Sequence, residues 1–331
     1  MMPLLRIADL VIEFHAADGV VRAVNGASMD ILQGETVALA GESGCGKSVT
    51  ALSVMRLLPG PTARVAAGQI LFDGRDLLRA SEGEMRAVRG ADIAMIFQEP
   101  VTSLNPVLTV GRQITEQITR HTGKDRRQAQ DWAIELLRRV GMPRPESRVN
   151  DYPHQLSGGM RQRVMIAMAV SCRPRLIIAD EPTTALDPTV QDQVLEVLAG
   201  LCRETGAALL LITHNLGLVA RYAHRVNIMY AGDVVENGRV ADVFRRPAHP
   251  YTLGLLRSMP RLSGPRSGAL QPIPGQPTDP AALPSGCPFH PRCAYAMPVC
   301  RSEYPRDLRI SEEHTSKCWI AEELSTGSPS S

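Results

Sequence analysis

Apolar and polar positions divide the chain into a succession of short strands and amphipathic helices. Residues 5–35 read as antiparallel β-structure: Arg6–Phe14 alternates in part, His15–Gly19 turns and Val20–Leu32 returns. Thr36–Ala40 (TVALA) is a short buried strand, and Ser48–Leu58 predicts a helix. Gly68–Asp73 is a strand closed by the turn dipeptide Asp73-Gly74. Ala91–Phe97 (ADIAMIF) is a buried strand that delivers Gln98 at its end, and residues 99–125 are turn-rich and then helical. Arg126–Val140 is an amphipathic helix with Trp132, Ala133, Leu136, Leu137 and Val140 on one face. A further helix opens at Leu156-Ser157-Gly158-Gly159 and runs to about Ser171, and another starts at Pro188. Leu176–Asp180 (LIIAD) and Ala208–Thr213 (ALLLIT) are unbroken apolar runs, the pattern of parallel strands covered on both faces. Arg225–Tyr230 and Asp233–Glu236 form a strand pair about Ala231-Gly232, and Val240–Arg245 and Tyr251–Ser258 predict short helices. Strands alternating with helices specify an α/β fold.

At 331 residues the expectation is one large domain with an appendage, and 44% hydrophobic residues suffice for a sizeable core. A net charge of +2 leaves no nucleic-acid footprint. The longest apolar runs, Val164–Val170 and Ala207–Ile212, fall far short of the roughly 18 residues that a membrane span requires. The first residues (MMPLLRIADLVIEF) lack the basic and apolar regions of a signal peptide. A cytosolic protein is expected, with any membrane association supplied by a partner.

The chemistry centres on Gly41-Glu42-Ser43-Gly44-Cys45-Gly46-Lys47-Ser48, which fits the phosphate-binding loop pattern between a strand and a helix. Its N–H groups wrap phosphates, and Gly41, Gly44 and Gly46 allow close backbone approach. Lys47 is placed to reach the β- and γ-phosphates and Ser48 to ligate Mg²⁺. Ser157, Gly158 and Gly159 open a second helix whose unpaired N–H groups form another potential phosphate site. Asp180 ends an apolar strand in the manner of a Mg²⁺-supporting carboxylate, and Glu181 follows it as a candidate general base. Gln98 and His214 are delivered to strand ends of the same kind, where α/β sheets bind ligands. Phe14 is either a base-stacking aromatic or a core residue; nothing local separates the two.

The ordered set GESGCGKS, Gln98, LSGGMRQR, LIIADE, ALD and His214 resembles the ATP-binding-cassette ATPases over roughly residues 5–245. The resemblance implies a RecA-like core with an antiparallel β-subdomain and an α-helical signature subdomain at about 99–171. Further stretches are similar to the dipeptide/oligopeptide/nickel importer family: Gln98–Pro106, Tyr152–Gln155, Met229–Gly232, His249–Thr252 and the Cys-rich tail. Met160 after the signature glycines looks like the D-type subunit of dipeptide permeases. By resemblance, residues 5–258 form the cassette, and ATP is held by Phe14, Gly41, Ser43, Gly44, Cys45, Gly46, Lys47, Ser48 and Val49. Two cassettes close head-to-tail, so that Ser157, Gly158, Gly159 and Asp187 serve the partner's nucleotide. Ser48, Gln98 and Asp180 attend Mg²⁺, Glu181 acts as base with Gln98 at the Mg²⁺/water site, and His214 grips the γ-phosphate. The segment after Gln98 resembles the surface on which permease coupling helices dock.

These features imply a peripheral ATPase on the cytoplasmic face of the membrane. Its expected partners are two transmembrane permease subunits, an extracytoplasmic binding protein, and a second related ATPase or a copy of itself. Dipeptides or oligopeptides are the leading solutes. Nickel or another small solute, a non-transport cassette ATPase, and an exporter ATPase are the alternatives.

Nine prolines lie from Pro260 to Pro291, seven of them within 259–286, which reads as a stiff, largely extended connector. Residues 287–320 follow as a Cys-rich tail, and 321–331 are expected to be disordered. Cys287, Cys293, Cys300 and Cys318 lack the close pairing of structural zinc sites and suit a [4Fe–4S] cluster better, as the family resemblance also implies. Zinc, with His290 or His314 as a ligand, and free thiols are the alternatives.

Overall fold

The computed structural model describes residues 2–16, 19–99, 103–183, 186–259 and 272–327. The chain forms two compact units: Met1–Met2 with Ile31–Glu35 and Arg79–Ile212, and Pro3–Asp30 with Thr36–Leu78 and Thr213–Ser331. The strands in chain order are β1 (Leu5–Ala16), β2 (Gly19–Ile31), β3 (Thr36–Ala40), β4 (Ala63–Phe72), β5 (Arg75–Asp76), β6 (Ile93–Ile96), β7 (Leu176–Asp180), β8 (Ala208–Thr213), β9 (Arg225–Tyr230), β10 (Asp233–Arg239), β11 (Leu308–Arg309) and β12 (Thr315–Ser316).

The Arg79–Ile212 unit carries the parallel strands β6, β7 and β8, paired Ile93↔Leu176 and Leu176↔Ala208 at their starts. Every residue of β7 and β8 is buried, as unbroken apolar runs require. The helices Val110–Thr122, Arg126–Arg139 and Gly158–Val170 pack on one another, and the last also packs on β6. Arg126–Arg139 starts with a capping box, Asp125 accepting from the Gln128 N–H and Gln128 accepting in return. Its apolar face buries Ala133, Leu136 and Leu137, while Trp132 is only half-buried and donates its indole N–H to Ser171 O at 3.0 Å. The helix Glu82–Val88, also opened by a capping box, has no counterpart in the sequence reading. The signal was present in Ser81-x-x-Glu84.

The other unit contains the antiparallel sheet β2-β1-β4-β5 and a set of strands in which β3 pairs parallel with β9, and β9, β10, β12 and β11 follow antiparallel. The β4–β5 turn is Asp73-Gly74, both at positive φ (52° and 79°), the geometry that Asp-Gly adopts between strands. The core gathers Val226, Ile228, Tyr230, Val235 and Tyr251 together with Phe289 from the Cys-rich segment. Residues 287–320 are therefore not an appendage with little core of its own. They add β12 to the edge of β10, pairing Glu236↔Ser316, and insert Phe289 against Tyr230 at 5.2 Å and Tyr251 at 5.4 Å. Lys317 and Tyr304 both bond the buried Asp233 carboxylate.

One other expectation changes. Ala321–Ser325 forms a helical turn with Ala321 and Leu324 buried, so order extends past 320 because apolar side chains there find a core. Of the proline-rich connector, residues 260–271 lie outside the described residues, as do 328–331, the 100–102 part of the expected coupling surface, and 184–185 before Asp187. Among the described residues no helix is long and apolar enough to cross a membrane.

Candidate active site

The phosphate loop joins β3 to the helix Lys47–Val54. Gly46 is its N-cap, at φ 106°, with no side-chain cap. A Cβ at Gly46 would lie 2.4 Å from Ala23 O, and one at Gly41 would lie 2.2 Å from Met229 O, so both glycines are required by close backbone approach. Gly44 has open space around it and is needed only for its φ of 82°. The Met229–Gly232 stretch abuts the loop: Gly232 N–H donates to Cys45 O at 3.0 Å. Lys47 is 5% exposed, and its ammonium donates to Gly41 O and Glu42 O, each at 2.9 Å. The cation is thus held over the loop by the loop's own carbonyls. Cys45 is buried, and that burial pushes its thiol pKa up, so it is an uncharged wall of the loop. Ser48 and Val49 follow on the first turn of the helix. Phe14 sits half-buried near the end of β1, opposite Ala63.

The second cluster lies on the Arg79–Ile212 unit. Asp180, the last residue of β7, is 5% exposed. Glu181 takes φ 44°, a left-handed conformation costly for a residue with a Cβ, and its N–H donates to Ile212 O at 3.0 Å. Gln98 lies two residues beyond β6 and donates from Nε2 to Glu181 Oε2 at 3.2 Å. The sequence reading delivered Gln98 and Glu181 to strand ends, and the structure joins them directly. His214, in the other unit, is exposed immediately after β8.

Ser157 caps the helix Gly158–Val170, its hydroxyl accepting from Met160 N–H at 3.3 Å. Ser157 and Gly158 are exposed. A Cβ at Gly159 would meet Val190 Cγ1 at 2.8 Å, so this glycine also keeps two helices close. Asp187 caps the helix Pro188–Thr205, accepting from Thr189 and Val190 N–H at 3.1 Å each. That local duty was legible as an Asp before a Pro-initiated helix and went unread.

Cys287, Cys293, Cys300 and Cys318 line one pocket with His249, Phe289, Met297 and Trp319. Among the described residues, however, no three Cys, His, Asp or Glu are placed to hold a metal ion. The expected iron–sulfur cluster and the zinc alternative therefore find no formed ligand set. Burial, with the neighbouring tail thiols adding to it, pushes Cys293 up to about 11 and Cys318 up to about 12. Neither proposed histidine is committed to metal. His314 Nε2 bonds Glu236 Oε1 at 2.8 Å in the interior, and His290 Nδ1 is 2.9 Å from Cys287 O. Arg292 and Tyr251, both bonded to Glu42 of the phosphate loop, were missed in the sequence, because no local pattern marks contacts that span 250 and 209 residues.

These features define a phosphate-loop ATPase cassette with a signature helix. Residues 24–184 match the ABC transporter family, and residues 235–300 match the oligopeptide/dipeptide transporter C-terminal region. The chain is 50% identical to the dipeptide transport ATP-binding protein DppD of Bacillus subtilis over 98% of this chain and 96% of that one. It is 48% identical to the oligopeptide transport ATP-binding protein OppD of the same organism, over 96% and 88%. The ATP-binding cassette MJ0796, solved as a dimer in a post-hydrolysis state with ADP and phosphate, is 26% identical with a TM-score of 0.64, covering 71% of this chain and 98% of that one. The chain belongs to the ATP-binding subunits of the ABC transporter family that carry the oligopeptide/dipeptide C-terminal region. It is an ATP-hydrolysing subunit of that kind.

Proposed function

We propose that this chain powers the uptake of dipeptides or oligopeptides through two transmembrane permease subunits, fed by an extracytoplasmic binding protein. It would sit peripherally on the cytoplasmic face of the membrane and pair with a second cassette, its own copy or a relative. The observation that carries this reading is the match to DppD, which runs almost end to end and includes the C-terminal region. Relatives named for dipeptides and for oligopeptides lie at nearly equal identity, which supports peptides as the class and leaves peptide length open.

In this reading the loop residues Gly41 and Ser43–Val49 hold the phosphates, and Phe14 meets the base. Lys47 exchanges its two loop carbonyls for phosphate oxygens. Ser48, Asp180 and Gln98 supply the oxygen donors that suit Mg²⁺. The ion, when bound, neutralises charge on the β- and γ-phosphates. Glu181, its carboxylate held by Gln98, takes a proton from water as that oxygen bonds the γ-phosphorus. The bond to the bridging oxygen breaks, and ADP leaves with the electron pair. His214 steadies the γ-phosphate. Ser157, Gly158 and Gly159 would receive the partner's γ-phosphate, with Asp187 holding that surface.

The four tail cysteines remain proposed ligands of a [4Fe–4S] cluster, with zinc as the other metal. What supports this is that all four line one pocket, and the reading requires the thiols to close in and ionise when metal enters. Anaerobic purification tests it: brown protein with about four irons per chain is expected, whereas metal-free protein with four titratable tail thiols would reject it. The transport reading is tested by co-expression with the permeases and ATP-dependent uptake of a labelled dipeptide into proteoliposomes. Purification free of membrane subunits, or peptide-independent uptake of nickel, would overturn it.

A further inference from the structure

Arg292 joins the Cys-rich segment to the phosphate loop. Arg292, at the end of the short helical turn His290–Arg292, is 7% exposed. Its guanidinium makes a two-pronged bond to Glu42, Nη1 to Oε2 at 2.6 Å and Nη2 to Oε1 at 3.0 Å. Its Nε donates to Pro274 O at 3.0 Å, so the fork is aimed by the proline-rich connector. Glu42 is held at its other end as well, its backbone N–H donating to the Tyr251 hydroxyl at 2.8 Å. The carbonyl of that same residue accepts from Lys47. Loop residues 42–45 and connector residues 277–280 also line a common cavity of about 240 Å³.

We infer that Arg292 is a positioning residue for nucleotide binding: it pins the Glu42 carboxylate away from the Lys47 ammonium and the incoming triphosphate. The inference rests on the reading of residues 41–49 as the phosphate site. Glu42 is an anion built into an anion-binding loop, which is paradoxical unless its charge is occupied. A bidentate guanidinium occupies both carboxylate oxygens in one plane, which an ammonium cannot do. Released, the carboxylate would be left as an unpaired anion on the loop that Lys47 serves, free to compete for that ammonium and to repel phosphate. The cost then falls on nucleotide affinity, because the groups that carry out hydrolysis, Gln98 and Glu181, are not part of this contact.

The experiment is ATPase kinetics of the assembled transporter in detergent or proteoliposomes. Arg292→Gln should raise KM for ATP about tenfold while leaving kcat within about twofold. Adding Glu42→Gln to Arg292→Gln should restore KM to within about threefold of the parent, since no stray charge is left. Arg292→Lys, which keeps the charge and loses the fork, should raise KM about threefold and serves if Arg292→Gln does not assemble. Tyr304→Phe loosens the same segment at Asp233 and should leave KM unchanged. An unchanged KM in both Arg292 variants, absence of rescue by Glu42→Gln, or an equal KM rise in Tyr304→Phe would overturn the inference. Lys47→Ala, read by ATP titration of the same assembly, separates the two readings: if it still binds ATP normally, the phosphate-site reading itself fails.

Discussion

Two helix starts on this chain are capped in opposite ways. Ahead of Lys47–Val54 the cap is a left-handed glycine with no side-chain acceptor, and a buried ammonium lies over the loop. Ahead of Gly158–Val170 the cap is a serine hydroxyl, exposed, with an exposed glycine beside it. The first carries a full positive charge that loop carbonyls hold in reserve. The second offers only peptide dipoles, about half a charge at most. A helix terminus alone is a weak anion site; on the proposed reading the first start binds nucleotide unaided, and the second contributes only when a nucleotide bound by a partner cassette is brought to it.

The largest expected effect separates hydrolysis from both helix starts. Glu181→Gln should reduce turnover by about a thousandfold in the assembled complex while ATP binding persists. Near-normal turnover would reject the general-base role. Next, Lys47→Ala should weaken ATP binding to the isolated chain by about a hundredfold, because charge-assisted bonds are lost. Isothermal titration reads this directly, and unimpaired binding would erase the difference between the two starts. On the other side of the comparison, Gly159→Asp should block ATP-driven closure of the cassette pair, yet leave nucleotide affinity of the isolated chain unchanged. Since a Cβ there crowds Val190, the measurement is paired with Ser157→Ala, which adds no atom. That change should slow the complex about fivefold through the lost cap. A matching loss of affinity in the isolated chain would show that this helix serves its own nucleotide.

The smallest effect concerns acid stability of the unit that holds the loop. His249 is fully buried, and burial pushes its pKa down to about 3. The unfolded chain takes up this proton near the ordinary histidine value of about 6.5, whereas the folded chain resists until far lower pH. Stability is therefore complete above that value and falls as pH drops toward about 3. His249→Asn keeps an acceptor for the Tyr251 N–H, now bonded at 3.1 Å, and should flatten this decline in thermal melts between pH 6.5 and 4, where about one proton per chain is at stake. An unchanged slope would show that other groups govern acid unfolding.

Much of the cassette was legible in the residues themselves. β3, β7, β8 and β9 lie where the apolar runs put them, because a strand buried on both faces declares itself without reference to the rest of the chain. The Asp73-Gly74 hairpin, the phosphate loop and the Ser157 helix start are local too: each depends on backbone geometry within a few residues. The tail was not legible in this way. Its prolines and unpaired cysteines suggested an appendage closed by metal. What the sequence did not show is that the tail is also held by Phe289 packed on Tyr230 and Tyr251, by β12 on the edge of β10, and by Arg292 on Glu42. Sequence alone determined the strands, the turns and the candidate phosphate-loop residues, since spacing and steric rules within a short window decide them. Tertiary structure alone decided that Gln98 meets Glu181, that the tail shares the core of β9 and β10, and that Glu42 is neutralised from 250 residues away. Those are contacts between distant segments, and only burial and charge pairing in the folded chain select them.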